Sequence, residues 1–161
     1  MQKKARDHAR TPLQWTSAPH AGFTSPTSTP WMRLNDDYPT VNAASQTATP
    51  NPTPGTLSVH AFWRRALANR KAHADVFVYG DFEMLDMADT RVVAFRRWSK
   101  DGGFVTVCNF SGESVEWEGL GGVRVGKWVA GNYDEGGLEG RGVGGTVVLR
   151  AWEGLLGILE V

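Results

Sequence analysis

RVVAFRRW at residues 91–98, KDGG at 100–103 and FVTVCNF at 104–110 form the stretch that decides the architecture of the larger part of this chain. Apolar and polar side chains alternate on both sides of the turn, and period two places one face of each strand against a core. The paired glycines between them fit a tight hairpin. Working outward, short runs of the same kind lie at 82–87, 114–117, 123–129, 146–149 and 155–161. Gly119, Gly121-Gly122, Gly136-Gly137 and Gly144-Gly145 separate them, and the apolar run Val76-Phe77-Val78-Tyr79 reads as a further short strand. Many short strands at regular spacing predict an antiparallel β-sandwich over 76–161.

Upstream the period changes. Val59, Phe62, Trp63, Ala66, Leu67 and Arg70 follow helical spacing, with Arg64, Arg65, Asn69 and Lys71 on the opposite face. This predicts one amphipathic helix within 56–74, capped by Ser58 or Thr56. Residues 1–55 hold all 8 prolines of the chain and show no sustained apolar period. Proline is excluded from helix interiors and central strands, so this part is expected to be a long loop. Trp15, Trp31 and Phe23 argue that it is ordered, because disordered segments are poor in large aromatics. A loop of this length normally carries function or lies against a larger body.

The 161 residues carry 17 basic and 17 acidic side chains, a balance that steers the chain toward neither nucleic acid nor anionic lipid. No apolar run approaches the ~20 residues that span a bilayer. The N-terminus has no apolar signal-peptide core, and the lone Cys108 excludes an internal disulfide, so the cytoplasm is the expected compartment. Within VTVC, Cys108 reads as a small packed hydrophobe rather than a reactive thiol. His8, His20, His60 and His73 show no metal-ligand spacing, and no cofactor is expected. Asn109-Phe110-Ser111 is a formal sequon that reads as a strand end. Asp36-Asp37 and Asp134-Glu135 are adjacent acids in turns. A retaining glycosidase instead needs its two carboxyls about 5–5.5 Å apart on rigid elements.

One segment is more specific. RDHARTPLQW at 6–15, followed by APHAGFT at 18–24 and Pro30-Trp31, resembles the segment after the last barrel strand in glycoside hydrolase family 13, the maltase and oligo-1,6-glucosidase subfamily. Downstream, Phe62-Trp63-Arg64-Arg65-Ala66-Leu67 with Arg70-Lys71 resembles the last barrel helix. Val78-Tyr79-Gly80, Asn109-Phe110-Ser111-Gly112, Gly131-Asn132-Tyr133-Asp134 and Trp152-Glu153-Gly154 resemble the C-terminal β-domain. Leu13 stands where the family usually has Met, a volume-conserving exchange, and Ala151 where Pro is frequent.

The resemblance implies a mixed fold: residues 1–75 as the last loop and helix of a (β/α) barrel, and 76–161 as an antiparallel β-sandwich C-terminal domain. It implies a part of a retaining α-glucosidase acting on maltose, sucrose or isomaltose-type oligosaccharides. The family's Asp nucleophile, Glu acid/base and further Asp match nothing here, so no catalytic residue is expected in this chain, and it is expected to be inactive alone. Its partner would be the upstream barrel. One substrate-binding residue carries over: Arg10, whose counterpart contacts the non-reducing-end glucose. A guanidinium suits that task because its planar fork donates directed hydrogen bonds to hydroxyls. Thr11 to Trp15 would shape the loop and bury Trp15. Three other readings exist: a family isomerase or transglycosylase, a non-catalytic carbohydrate-binding or interaction β-module, and a membrane-anchored non-enzymatic relative, which the arginine segment disfavours.

Overall fold

In the computed structural model, which describes residues 10–48, 57–86, 88–133, 138, 141 and 145–160, the alternation at 91–110 becomes the centre of a sheet. The strands are β1 (Asp81–Asp86), β2 (Val92–Ser99), β3 (Gly102–Asn109), β4 (Val115–Trp117), β5 (Val125–Gly131), β6 (Val147–Leu149) and β7 (Gly154–Leu159). β2 and β3 form the expected hairpin, with Val92 opposite Asn109 and Ser99 opposite Gly102. The larger sheet runs β1-β2-β3-β7-β5, and β4 pairs with β6 in a second. All these pairings are antiparallel.

The chain divides into two units: Met1–Pro52 with Ser58–Ala61, and Thr53–Leu57 with Phe62–Val161. In the second unit the strand periodicity fixes the core. Val92, Ala94, Val105, Val107, Val125, Trp128 and Leu155 from the larger sheet cluster with Val115, Trp117, Val147 and Leu149 from the smaller. This is the sandwich. Trp117 and Trp128 are almost fully buried. Each indole removes on the order of 200 Å² from water, about 5 kcal/mol before entropic costs. Trp128 also sets a packing limit on β7. A Cβ added at Gly157 would lie 2.7 Å from Val125 Cγ1 and 3.0 Å from Trp128 Cε3. Gly157→Ala is therefore expected to cost about 1–3 kcal/mol by overpacking. Urea denaturation checks this, and an unchanged midpoint would refute the tight fit.

The other face of the larger sheet looks onto helices. α2 (Val59–Ala72) is the expected helix, but not with the expected faces: Arg65 and Asn69 join Phe62 and Ala66 on the side turned to the sheet, while Val59, Trp63 and Leu67 are exposed. Ser58 caps it: Ala61 N–H donates to Ser58 Oγ at 3.1 Å, while Thr56 lies outside the described residues. Along Phe62–Arg70 one side of α2 faces Phe95, Thr106, Cys108, Ala130 and Leu156 across a cavity of about 380 Å³. Arg65 donates to the Gly131 carbonyl from this side. Burial pushes the Cys108 thiol up, consistent with a packed rather than a reactive sulfur. The helix itself has no buried residue, and Trp63 is 60% exposed.

Two expectations fail locally. Residues 76–79 are not a strand: α3 (Ala74–Phe77) takes the start of that run. Val76 is buried, the Phe77 ring packs on Phe104 at 4.7 Å, and the Arg97 guanidinium takes the carbonyls of Phe77 and Gly80, both at 2.8 Å. A four-residue apolar run carries no period of its own, so tertiary partners decide it. The loop expected over 1–55 also contains a helix, α1 (Ala43–Ala48). Asn42 caps it reciprocally: Ser45 N–H donates to Asn42 Oδ1 at 2.8 Å, and Asn42 N–H to Ser45 Oγ at 3.2 Å.

Candidate functional site

The site expected from the sequence is the lip that carries Arg10. Arg10 is exposed and, among the described residues, precedes any regular element; Arg6 and Asp7 lie outside the described residues. Two residues on, Pro12 is buried, and the chain is hydrogen-bonded at each residue from Gln14 to Thr16. Ala43 N–H donates to the Gln14 carbonyl and Ala44 N–H to that of Trp15, each at 2.9 Å. Trp15 N–H and Thr16 N–H both donate to the Ala21 carbonyl, at 2.9 and 3.0 Å.

That double acceptor exists because the chain doubles back through a left-handed turn. His20, Ala21 and Gly22 have φ of 57°, 55° and 66°. For residues with a Cβ this region costs roughly 1–2 kcal/mol each, so the surroundings must hold it. Ala21 is wholly buried, and His20 Nε2 hydrogen-bonds the Pro26 carbonyl at 3.2 Å. Gly22 is required here: besides its positive φ, a Cβ would stand 2.6 Å from Thr16 Oγ1. Strain of this kind gathers at functional sites.

The Gln14 side chain ties the lip to a second loop. Its Nε2 donates to Asp37 Oδ1 at 3.2 Å and to the Val41 carbonyl. Its Oε1 accepts from Asn35 Nδ2 at 3.1 Å. Gln14 thus joins the two loops, but Trp15 is not buried. The residue is 50% exposed, next to Leu13 at 54%, and Trp31 is 62% exposed. Large apolar groups held in solvent by a rigid base mark a surface made to meet something.

Asp36 and Asp37 are each held by a neighbour rather than set up as a catalytic pair. Asp36 is bound by Arg33 at 2.6 Å with both side chains exposed, and Asp37 serves as an acceptor for Gln14. Asp134-Glu135 lie outside the described residues. Among the described residues no group of three or more His, Cys, Asp or Glu could hold a metal ion.

In the sandwich unit, three of the motifs read from sequence converge at one end. Asn109 is buried at the end of β3 and donates to the carbonyls of Glu113 and Arg150, at 2.7 and 2.9 Å. Asn132 Nδ2 donates to the Trp152 carbonyl at 2.7 Å, and Gly154 N–H returns a bond to Asn132 Oδ1 at 2.9 Å. Glu153 lies at their centre, 1% exposed. Arg150 reaches it through Nε at 2.9 Å and Nη2 at 2.6 Å, and Arg141 through Nη2 at 2.6 Å. Burial would push the Glu153 carboxyl up, but these bonds outweigh it and hold the group below the ordinary carboxylate value. The Arg150 guanidinium also lies 4.0 Å from the Tyr133 ring centroid. This network is architectural. The sequence showed its members as separate motifs, while the arginines that close it left no local signal beyond the i,i+3 spacing of Arg150 and Glu153.

Residues 1–80 match the model of the α-amylase catalytic domain. An α-glucosidase of Schizosaccharomyces pombe is 40% identical over 116 residues, 72% of this chain and 19% of that protein. An oligo-1,6-glucosidase of Saccharomyces cerevisiae is 35% identical over 159 residues, 97% of this chain and 25% of that protein. The crystal structure of isomaltulose synthase from Erwinia rhapontici superposes with a TM-score of 0.83 at 28% identity, over 97% of this chain and 26% of that one. The chain thus spans a quarter or less of the length of the curated relatives named here. The fold is the expected one: the end of a barrel followed by an antiparallel C-terminal domain.

Proposed function

Because the chain belongs to the α-amylase family of glycoside hydrolases, we propose that it is part of a retaining α-glucosidase that releases terminal α-linked glucose from maltose-, sucrose- or isomaltose-type substrates. In this reading residues 1–75 complete a barrel and 76–161 form its C-terminal domain. Neither the nucleophile nor the acid/base is among residues 1–161. In a retaining reaction one carboxylate attacks the anomeric carbon while an acid protonates the departing oxygen, and water then hydrolyses the glycosyl-enzyme intermediate. This chain supplies binding. Arg10 donates hydrogen bonds to the hydroxyls of the terminal glucose and closes the pocket behind it, which favours removal of single units from chain ends.

One observation carries the reading: the segment, hydrogen-bonded from Gln14 to Thr16, leaves Arg10 and Trp15 exposed instead of sealing them into a core. A free-standing sugar-binding module would have no use for α2, whose residues are all left unburied. The structural likeness to an isomaltulose synthase keeps an isomerase as the second reading. A cytoplasmic location belongs to the same proposal, supported by the single, packed thiol of Cys108.

Segment exchange tests this. This chain replaces the matching 159 residues of the S. cerevisiae oligo-1,6-glucosidase, and the hybrid is assayed on maltose, isomaltose and sucrose. Glucose release is expected. Isomaltulose as the main product from sucrose would favour the isomerase, and a folded hybrid inert on all three would contradict both.

A further inference from the structure

We propose that Gln14 is the positioning residue of the lip: its carboxamide locks the Arg10 segment to the 35–41 turn and so fixes where the Arg10 guanidinium points. The proposal rests on Arg10 being the substrate-binding residue, and goes beyond it by naming what holds that residue in place. Gln14 uses its whole carboxamide. Nε2 donates to Asp37 Oδ1 and to the Val41 carbonyl, while Oε1 accepts from Asn35. Its own carbonyl accepts from Ala43 at 2.9 Å. One side chain therefore joins three points of a turn that has no other side-chain bond to the lip among those described, and the turn runs directly into the Asn42 cap of α1. Between Gln14 and Arg10 stands buried Pro12, whose ring fixes φ and stiffens the connection. A reach of four residues with one locked torsion converts a fixed Gln14 into a restricted Arg10. Misplacing a binding group by about an ångström can cost up to ~100-fold in rate, so the effect of losing this lock is not small.

Glutamate at this position offers a chemical signature. Ionised, it keeps an acceptor for Asn35 but loses both donors and faces the Asp37 carboxylate. Protonated, it regains one donor. Activity of Gln14→Glu should therefore recover toward acid pH relative to the parent, which packing alone does not predict.

Two experiments decide the matter. In the 161-residue chain itself, amide hydrogen exchange of Ala43 and Ala44 should speed at least tenfold in Gln14→Ala, with β2 and β3 amides unchanged. Unchanged exchange at Ala43 and Ala44 would overturn the lock. In the segment-exchanged enzyme, Gln14→Ala should lower kcat/KM at least tenfold, and should add almost nothing when Arg10 is already alanine. A full additional loss in the Arg10→Ala background would show that Gln14 does not act through Arg10. If Arg10→Ala alone is without effect, the reading of Arg10 fails, while the exchange result still judges the lock.

Discussion

Glu153→Ala should lower the unfolding free energy by about 3 kcal/mol or more, the range found when one partner of a buried ion pair is removed. The size follows from the surroundings. The carboxylate is almost wholly buried, and one of its oxygens takes three guanidinium hydrogen bonds, from Arg150 and Arg141. The other accepts the Arg150 backbone N–H at 2.8 Å. Its removal leaves those donors pointing into a space that a methyl group does not fill. The same geometry sets a pH dependence. Hydrogen bonds and charge hold the folded-state carboxyl below its ordinary value of 4.5, so the stabilisation is complete above that value and is lost as pH falls through the lowered one. Urea denaturation of the parent should therefore show stability falling below about pH 4.5, and Glu153→Gln should remove this residue's share of the fall. A Gln variant with the parent's stability at neutral pH would show that the network is not holding the sandwich end together.

Arg10→Ala in the segment-exchanged enzyme should reduce kcat/KM on isomaltose by about 100-fold, a loss of roughly 2.7 kcal/mol of transition-state stabilisation. Several directed hydrogen bonds to one sugar ring account for that magnitude, since each bond to a charged group contributes about 1.5–3 kcal/mol. Arg10→Lys should recover only a small part, because an ammonium has the charge but not the planar fork. Thermal unfolding provides the control. Arg10 is exposed and lies outside every described element, so neither variant should shift Tm. Loss of activity together with a lower Tm would mark Arg10 as a structural ion-pair residue.

Most of the sandwich was legible in the sequence because its signals are local. Alternation at 91–98 and 104–110 with two glycines between them fixes a hairpin whatever surrounds it, and β4 to β7 follow the same rule. The places where reading failed are places where distant residues decide. Val76 and Phe77 look like a strand until Phe104 and Arg97 are brought to them. Helix α1 was hidden by the Thr- and Asn-rich composition around it. Yet the Asn42 and Ser45 spacing is a capping signal that the sequence does carry.

At the lip the sequence singled out the segment and offered Arg10 as a candidate, but it predicted a buried Trp15 where the residue is half exposed. Aromatic size argues for burial only if the rest of the core is present. Gln14 was read merely as part of the loop, and its partners Asn35, Asp37 and Val41 lie more than twenty residues away. No periodicity connects residues at that separation through irregular chain.

The whole account depends on residues 10–48 and α2 serving a barrel whose carboxylates lie elsewhere. The direct measurement is release of the aryl group from an aryl α-glucoside by the purified 161-residue chain. No release above the uncatalysed rate is predicted. Turnover that disappears on substituting a single carboxylate within these 161 residues would contradict it.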